Sequence, residues 1–193
     1  AMSRLAWMPA MPPPMTSAVL VTGTLIGCSA LFFFTLATRV RTMSLALAVV
    51  ASCQPVHLHT DMLVAEKKWG TDRCKYGYAW KSMLKAGVKV QFGSDAPVEH
   101  INPLLSFHAA MARQNPAGEP KGGWFPAERL TLEETLHAFT AVPAWVSRRE
   151  ATLGVLAPGK IADVTVFAED LSRFSPGQLA SVHPGSVRMR VRD

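Results

Sequence analysis

The chain has 193 residues, of which 49% are hydrophobic and 18% charged, and its formal net charge is +6. This composition excludes an intrinsically disordered chain. Three cysteines are too few for a disulfide scaffold, so we expect a reducing, cytoplasmic location. Beyond residue 60 the basic side chains are interleaved with acidic ones, and no reading motif accompanies them, so we expect no nucleic-acid binding.

The first 44 residues differ in character from the rest of the chain. They carry Arg4, Arg39 and Arg41 but no acidic residue. Within them, the uncharged and mostly apolar stretch 18–37 has about the 20-residue length that a membrane-spanning helix needs. Interspersed Gly, Thr and Ser residues dilute it, so a buried globular segment is the alternative. We therefore expect an apolar leader, with membrane association through residues 18–37 as the alternative to a cytoplasmic location.

The next hundred residues have the pattern of a parallel α/β unit. The continuous apolar run 45–52 predicts a strand buried on both faces, and the alternating segment 88–92 predicts a second strand. Between them we expect two helices, one from Thr60 to Trp69 and one that starts at Thr71 and ends at Gly87. Strands that alternate with helices indicate a parallel sheet.

The remaining third of the chain is predicted to contain two more helices followed by short strands. Asn102 followed by Pro103 should open a helix to about Arg113, and a capping box at Thr131 should open another to about Pro143. A loop rich in Gly and Pro separates them. Strands are then expected at 155–156, 162–167 and 187–191, which together indicate a separate small β element.

Two polar segments that follow the predicted strands are the candidate functional residues. Asp95, in a Gly-Ser-Asp-Ala-Pro turn, could bind a metal or move a proton, or it could merely organise its own turn. His57 and His59 could share a metal, or one could line a pocket while the other faces away. For Cys53 a buried structural role is favoured over a nucleophilic one.

Several motifs between residues 52 and 170 together resemble the C-terminal part of the metal-dependent amidohydrolase superfamily. Within it, the chain is most similar to amidohydrolase family 3, the group of N-substituted formamide deformylases. The order and approximate spacing of the motifs both match that group. The matching segments are 52–57, 72–73, 78–80, 93–98, 102–104, 122–126, 131–134, 154 and 158–163.

The resemblance implies a fold and a set of roles. Residues 46–52 and 88–92 would be strands seven and eight of a (β/α)8 barrel, with a small β subdomain after them. Asp95 would touch a divalent metal, expected to be zinc, and carry a proton from water to the departing amine. His57, Ser94 and Trp124 would bind the substrate, a small amide or formamide whose C–N bond is hydrolysed.

The resemblance covers only part of what such an enzyme needs. A complete (β/α)8 barrel takes about 250 residues, and residues 1–56 contain no His, Asp, Glu or Lys that could complete a metal cluster. We expect an anomalous leader at 1–44, a partial barrel at 45–150 and a β subdomain at 151–193. Two interpretations remain open. In the first, the chain is an inactive enzyme fragment whose leader is foreign. In the second, it is a genuine non-catalytic protein, attached to a membrane through 18–37, that serves binding or assembly.

Overall fold

Three parallel strands form the main sheet of the computed structural model, which describes residues 18–21, 48–167, 169–182 and 187–191. Strands β1 (Ala18–Val21), β2 (Ala48–Cys53) and β3 (Lys89–Phe92) lie side by side in chain order. Their register pairs Val21 with Ala51 and Cys53 with Phe92. The two predicted strands after residue 44 are therefore confirmed in type and within a few residues in position.

Strand β1 bears on the expectation of an apolar, membrane-spanning leader. Its residues are the first four of the stretch 18–37, and they are paired by backbone hydrogen bonds with β2 rather than wound into a helix. The sequence of β1, Ala-Val-Leu-Val, is rich in residues that favour a strand. The rest of that stretch lies outside the described residues. Among the residues that the structure does describe, no helix is long and apolar enough to cross a membrane.

The segment between β2 and β3 forms three helices rather than the two expected. Helix α1 (Leu58–Trp69) follows a 3-10 turn and agrees with the prediction, whereas the second helix is split into α2 (Thr71–Cys74) and α3 (Trp80–Lys85). At the break, Tyr78 adopts a left-handed φ of 54°, and its carbonyl accepts a hydrogen bond from Arg113. This tertiary hydrogen bond stabilises a conformation that local helical periodicity could not predict.

Helix α3 begins at a cap that comes from a distant loop. Ala79 precedes the helix and supplies no side-chain cap. The Glu128 carboxylate instead accepts hydrogen bonds from the Ser82 backbone N–H, at 2.9 Å, and from the Ser82 hydroxyl. A carboxylate suits this position, because the first N–H groups of a helix lack partners and carry partial positive charge.

The two later helices begin where the sequence predicts them to begin. Helix α4 (Pro103–Ala112) is capped by the Asn102 side chain, which accepts from the Leu104 N–H, and α5 (Leu132–Phe139) has the predicted capping box at Thr131. Helix α5 ends before the expected position, and α6 (Ala141–Val146) starts anew after Thr140. Pro143 explains the break, because a proline lacks the N–H for the Phe139 carbonyl and its ring would clash with that carbonyl.

The last part of the chain forms a two-stranded antiparallel sheet. Strand β4 (Ala162–Val166) pairs with β5 (Val187–Val191), as the sequence predicts. The prediction of a strand at residues 155–156 was wrong, because these residues follow Gly154 as an irregular bend with Leu156 exposed. Gly154 itself has a φ of 92°, which interrupts an extended strand.

Two clusters of buried apolar side chains hold these elements together. The larger one lies between the sheet and its helices and includes Leu58, Met62, Trp80 and Phe92. The smaller one seats the 3-10 segment Pro176–Ser181 against α4 through its fully buried Leu179. The ring of Phe139 contacts both clusters, so the tail after β4 is tied to the sheet through apolar packing.

Candidate active site

The ends of β2 and β3 bring together His57 and Asp95. The two parallel strands end level, because Cys53 pairs with Phe92 in the register. The chain then turns into a 3-10 segment after β2, which ends at His57, and into a loop after β3, which carries Asp95. His57 Nε2 lies 3.6 Å from Asp95 Oδ2, and the two side chains are 28% and 29% exposed. This position at the carboxyl end of parallel strands is where α/β proteins place ligand sites.

Asp95 holds its loop through its backbone and leaves its carboxylate available. Its φ is 58°, in the left-handed region that Asp tolerates better than most residues. Its carbonyl accepts hydrogen bonds from the N–H groups of Val98 (2.8 Å) and Glu99 (3.4 Å). The Asp95 backbone therefore organises the turn, and the carboxylate faces His57, so the two roles considered for this residue are compatible.

Ser94 lies beside Asp95 in the same loop, as the sequence requires. Its hydroxyl oxygen accepts a hydrogen bond from the Ala96 N–H at 3.3 Å. This local contact orients the Ser94 side chain within the turn. A substrate-binding role for Ser94 and for His57 stays a prediction.

Trp124 lies in a buried aromatic cluster rather than beside this pair. It is 5% exposed, and its indole N–H donates to Glu66 Oε1 at 2.9 Å. Its ring packs against Phe125 and Tyr78. Glu66 is nine residues beyond His57, or roughly 13 Å further along α1 at 1.5 Å per residue. The structure places the ring and the polar atom of Trp124 in the core, and a substrate-binding role for Trp124 stays a prediction.

Sequence reasoning missed Arg113, which organises that aromatic cluster. Its side chain is fully buried, and it donates to the carbonyls of Trp124 (2.8 Å) and Tyr78 (2.7 Å). The guanidinium lies over the rings of Trp80 and Trp124. Burial lowers the pKa of Arg113 to about 10. Arg113 is the C-cap residue of α4, and its left-handed φ directs the chain into the aromatic cluster. A single arginine after an apolar helix is not a sequence pattern that predicts such a role.

A second missed contact joins His59 on α1 to His108 on α4. His59 Nε2 lies 3.1 Å from His108 Nδ1, which is a hydrogen bond between two imidazoles. Burial, and secondarily the neighbouring His108, lowers the pKa of His59 to about 4, and burial also lowers the pKa of His108. His59 thus faces away from Asp95 while His57 faces towards it, which is one of the two arrangements considered for this pair.

Cys53 has the properties of a structural residue. It is buried at the end of β2. Burial raises the pKa of its thiol to about 12, and this effect outweighs the opposite effect of a hydrogen bond from Trp80. A thiol with so high a pKa carries almost no nucleophilic thiolate at neutral pH. The structure therefore supports the packing role of Cys53.

The described residues do not make a complete metal shell. In the part of the chain that the structure describes, no group of three or more His, Cys, Asp or Glu side chains could hold a metal ion. His57 and Asp95 offer at most two donors, whereas a catalytic zinc site takes three protein ligands and a water. The donor set therefore fits at most part of a metal site.

Comparisons with known proteins agree on one family. The model of the amidohydrolase family matches residues 18–193. Among curated proteins, the chain is 37% identical over 138 residues to Protein LONG AFTER FAR-RED 3 of Arabidopsis thaliana, covering 70% of this chain and 23% of that protein. It is 35% identical over 99 residues to the N-substituted formamide deformylase of Arthrobacter pascens, covering 51% of this chain and 18% of that enzyme.

A solved structure shows the same relationship. A metal-dependent hydrolase of Pyrococcus horikoshii superposes with a TM-score of 0.61 and 27% sequence identity, covering 74% of this chain and 28% of that one. The chain thus spans between 18% and 28% of the length of these three relatives. The family model covers nearly the whole sequence, and the quoted relatives include a deformylase and a metal-dependent hydrolase. The chain belongs to the amidohydrolase family.

Proposed function

We propose that the chain is the C-terminal part of a (β/α)8 barrel whose complete form hydrolyses the C–N bond of a small amide or formamide with the help of a divalent metal. In this proposal β2 and β3 are the last two barrel strands. The observation that carries it is the position of Asp95, directly after the last parallel strand and with its carboxylate facing His57 at 3.6 Å. Family membership and the formamide deformylase among the relatives support the reaction class.

The role proposed for Asp95 is the transfer of a proton. Its carboxylate would accept a proton from the attacking water and return it to the departing amine nitrogen, so that one group serves first as base and then as acid. Partial exposure of Asp95, at 29%, gives water access to the carboxylate. Ser94, which precedes it, would help to bind the substrate at the same loop.

The metal expected from the family, zinc in our proposal, needs ligands beyond those described here. Asp95 would contribute one ligand to such a site. Because the described residues offer at most two donors, we expect the isolated chain to bind no stoichiometric metal and to hydrolyse no N-substituted formamide. Metal analysis of the purified chain, combined with a hydrolysis assay after zinc is added, measures both. Stoichiometric zinc together with turnover would contradict the view of an inactive part.

A chimera tests the reaction and the residue that carries it. Residues 48–167 would replace the matching segment of the Arthrobacter pascens deformylase, and hydrolysis of an N-substituted formamide would be followed. We expect the chimera to be active and its Asp95→Asn variant to lose about 10²-fold or more, the contribution usual for general acid–base catalysis. The matched control is Glu99→Gln, which removes a carboxylate from the same loop. An active chimera that tolerates Asp95→Asn would refute the role of Asp95.

A further inference from the structure

The pair at the strand ends contains a buried nitrogen without a hydrogen-bond partner. The Nε2 atom of His57 is inaccessible to solvent, and no acceptor lies within hydrogen-bond distance of it among the described residues. The nearest charged group is Asp95 Oδ2, at 3.6 Å. A buried polar atom without a partner costs free energy. The Asp95 carboxylate is therefore the group that can supply the missing acceptor for His57 Nε2.

The backbones on both sides of this contact are held in place. Asp95 is fixed by the two N–H groups that bond to its carbonyl and by its left-handed φ. His57 ends the 3-10 turn and occupies the N-cap position of α1 without a side-chain cap, between the buried side chains of Val56 and Leu58. The His57 carbonyl also accepts from the Thr60 hydroxyl at 3.3 Å. The distance between His57 Nε2 and Asp95 Oδ2 therefore depends mainly on the rotamers of the two side chains.

We propose that His57 is a positioning residue for Asp95. Its Nε2–H donates to Oδ2, fixes the carboxylate rotamer, and leaves Oδ1 as the oxygen that exchanges the proton. The proposal rests on the proposed function for its chemical meaning, and it assigns to His57 a role towards Asp95 rather than towards the substrate. A movement of about 0.6 Å brings the two atoms into the N–H···O range, and such contacts are often long in ligand-free enzymes.

The proposal makes a prediction about which imidazole nitrogen carries the proton. A donor at Nε2 requires the tautomer with the proton on Nε2, whatever the substrate is. A hydrogen bond to a carboxylate should favour that tautomer at least roughly tenfold over its ratio without the carboxylate, a factor that corresponds to about 1.4 kcal/mol. A His57 that only fills space beside Asp95 would show no such dependence.

The experiment uses the full chain labelled with ¹⁵N in histidine, at about pH 8, well above the ordinary imidazole pKa of about 6.5. Nitrogen chemical shifts give the tautomer ratio of His57. The test variant is Asp95→Gly, because glycine tolerates the φ of 58° while it removes the carboxylate. We expect the Nε2–H tautomer to predominate in the parent chain and the ratio to fall about tenfold in Asp95→Gly. An unchanged ratio, or a parent chain with its proton on Nδ1, would overturn the proposal.

Matched variants separate this contact from general effects of charge and folding. Glu99→Gln removes one negative charge from the same loop and should leave the His57 ratio unchanged. If Asp95→Gly does not fold, Asp95→Asn keeps a tolerated side chain and a weaker, neutral acceptor, and the ratio should still fall measurably. A Glu99→Gln variant that moves the ratio as far as Asp95→Gly would count against a specific contact.

A second measurement compares kcat and KM of His57 variants in the chimera, where the Asp95 carboxylate would act. His57→Gln offers an N–H donor in place of Nε2, whereas His57→Leu offers none. We expect His57→Leu to lower kcat with little change in KM, and His57→Gln to restore part of kcat. If the tautomer ratio depends on Asp95 but the chimera is inactive, the proposed function fails and the positioning contact stands. If the chimera needs Asp95 but tolerates His57→Leu, the proposed function stands and His57 is not a positioning residue.

Discussion

The His59–His108 contact predicts that mild acid weakens the fold. In the unfolded chain a histidine takes up a proton near its ordinary pKa of about 6.5, whereas in the folded chain burial lowers the pKa of His59 to about 4. Between these two pH values the unfolded state binds a proton that the folded state does not. The free energy of unfolding should therefore fall as the pH falls below about 6.5, and the loss should be complete near the folded pKa.

The size of the loss follows from the same two pKa values. At about pH 5 the chain is about 1.5 pH units below the unfolded pKa, which corresponds to about 2 kcal/mol at 1.36 kcal/mol per unit. Because His59 is only partly buried, solvent screens the penalty, and about half of that value, or about 1 kcal/mol, is a better expectation. Burial also lowers the pKa values of His108 and His137, so these side chains add to the loss in the same direction.

Urea unfolding at about pH 7.5 and about pH 5 measures the effect against the ordinary histidine pKa of about 6.5. His59→Gln retains a side-chain N–H donor for His108 and cannot be protonated, so its stability should change less with pH than that of the parent chain. His100→Gln is the matched control, because His100 lies in an exposed loop, and it should behave like the parent. A parent chain that loses no stability between the two pH values, or a His59→Gln variant that loses as much as the parent, would refute the reasoning.

Three further substitutions, together with one control, test the packing and one helix cap by urea unfolding. Thr131→Ala removes the capping box of α5 and should cost about 1 kcal/mol, whereas Thr152→Ala, which removes a hydroxyl outside a cap, should cost less. Gly154→Ala should cost at least about 1 kcal/mol, because the φ is 92° and a Cβ would approach the Ala144 Cβ to 2.6 Å. Trp124→Phe should cost about 1 kcal/mol, the usual net contribution of a hydrogen bond, because the exposed Glu66 carboxylate regains water when the indole donor is removed. A loss of free energy of unfolding below a few tenths of a kcal/mol in Thr131→Ala, Gly154→Ala or Trp124→Phe would contradict the structural role given to that residue.

The local signals in the sequence predicted the elements that depend on neighbouring residues. The caps at Asn102 and Thr131 act on N–H groups two or three positions away, so their patterns are legible without the fold. The apolar run of β2 and the alternating segment of β3 predicted strands, because both patterns depend only on neighbouring residues. The interrupted segment between α2 and α3 could not be predicted, because the carbonyl of Tyr78 is held by Arg113, which is 35 residues away.

The candidate site divides in the same way. The identity of Asp95 and its position after a strand follow from the sequence, since a polar turn after an alternating segment is a local pattern. That His57 faces Asp95 while His59 bonds to His108 depends on strand register and on the packing of α1 against α4.

By itself, the sequence determined the family, the alternation of strands β2 and β3 with helices, and the carboxylate that follows β3. These features are written in short motifs whose residues act on their neighbours. Only the tertiary structure decided that Trp124 and Arg113 belong to the core, that residues 18–21 are a strand of the main sheet, and which histidine faces Asp95. The physical reason is that burial and side-chain pairing are set by residues that are distant along the chain and adjacent only after folding.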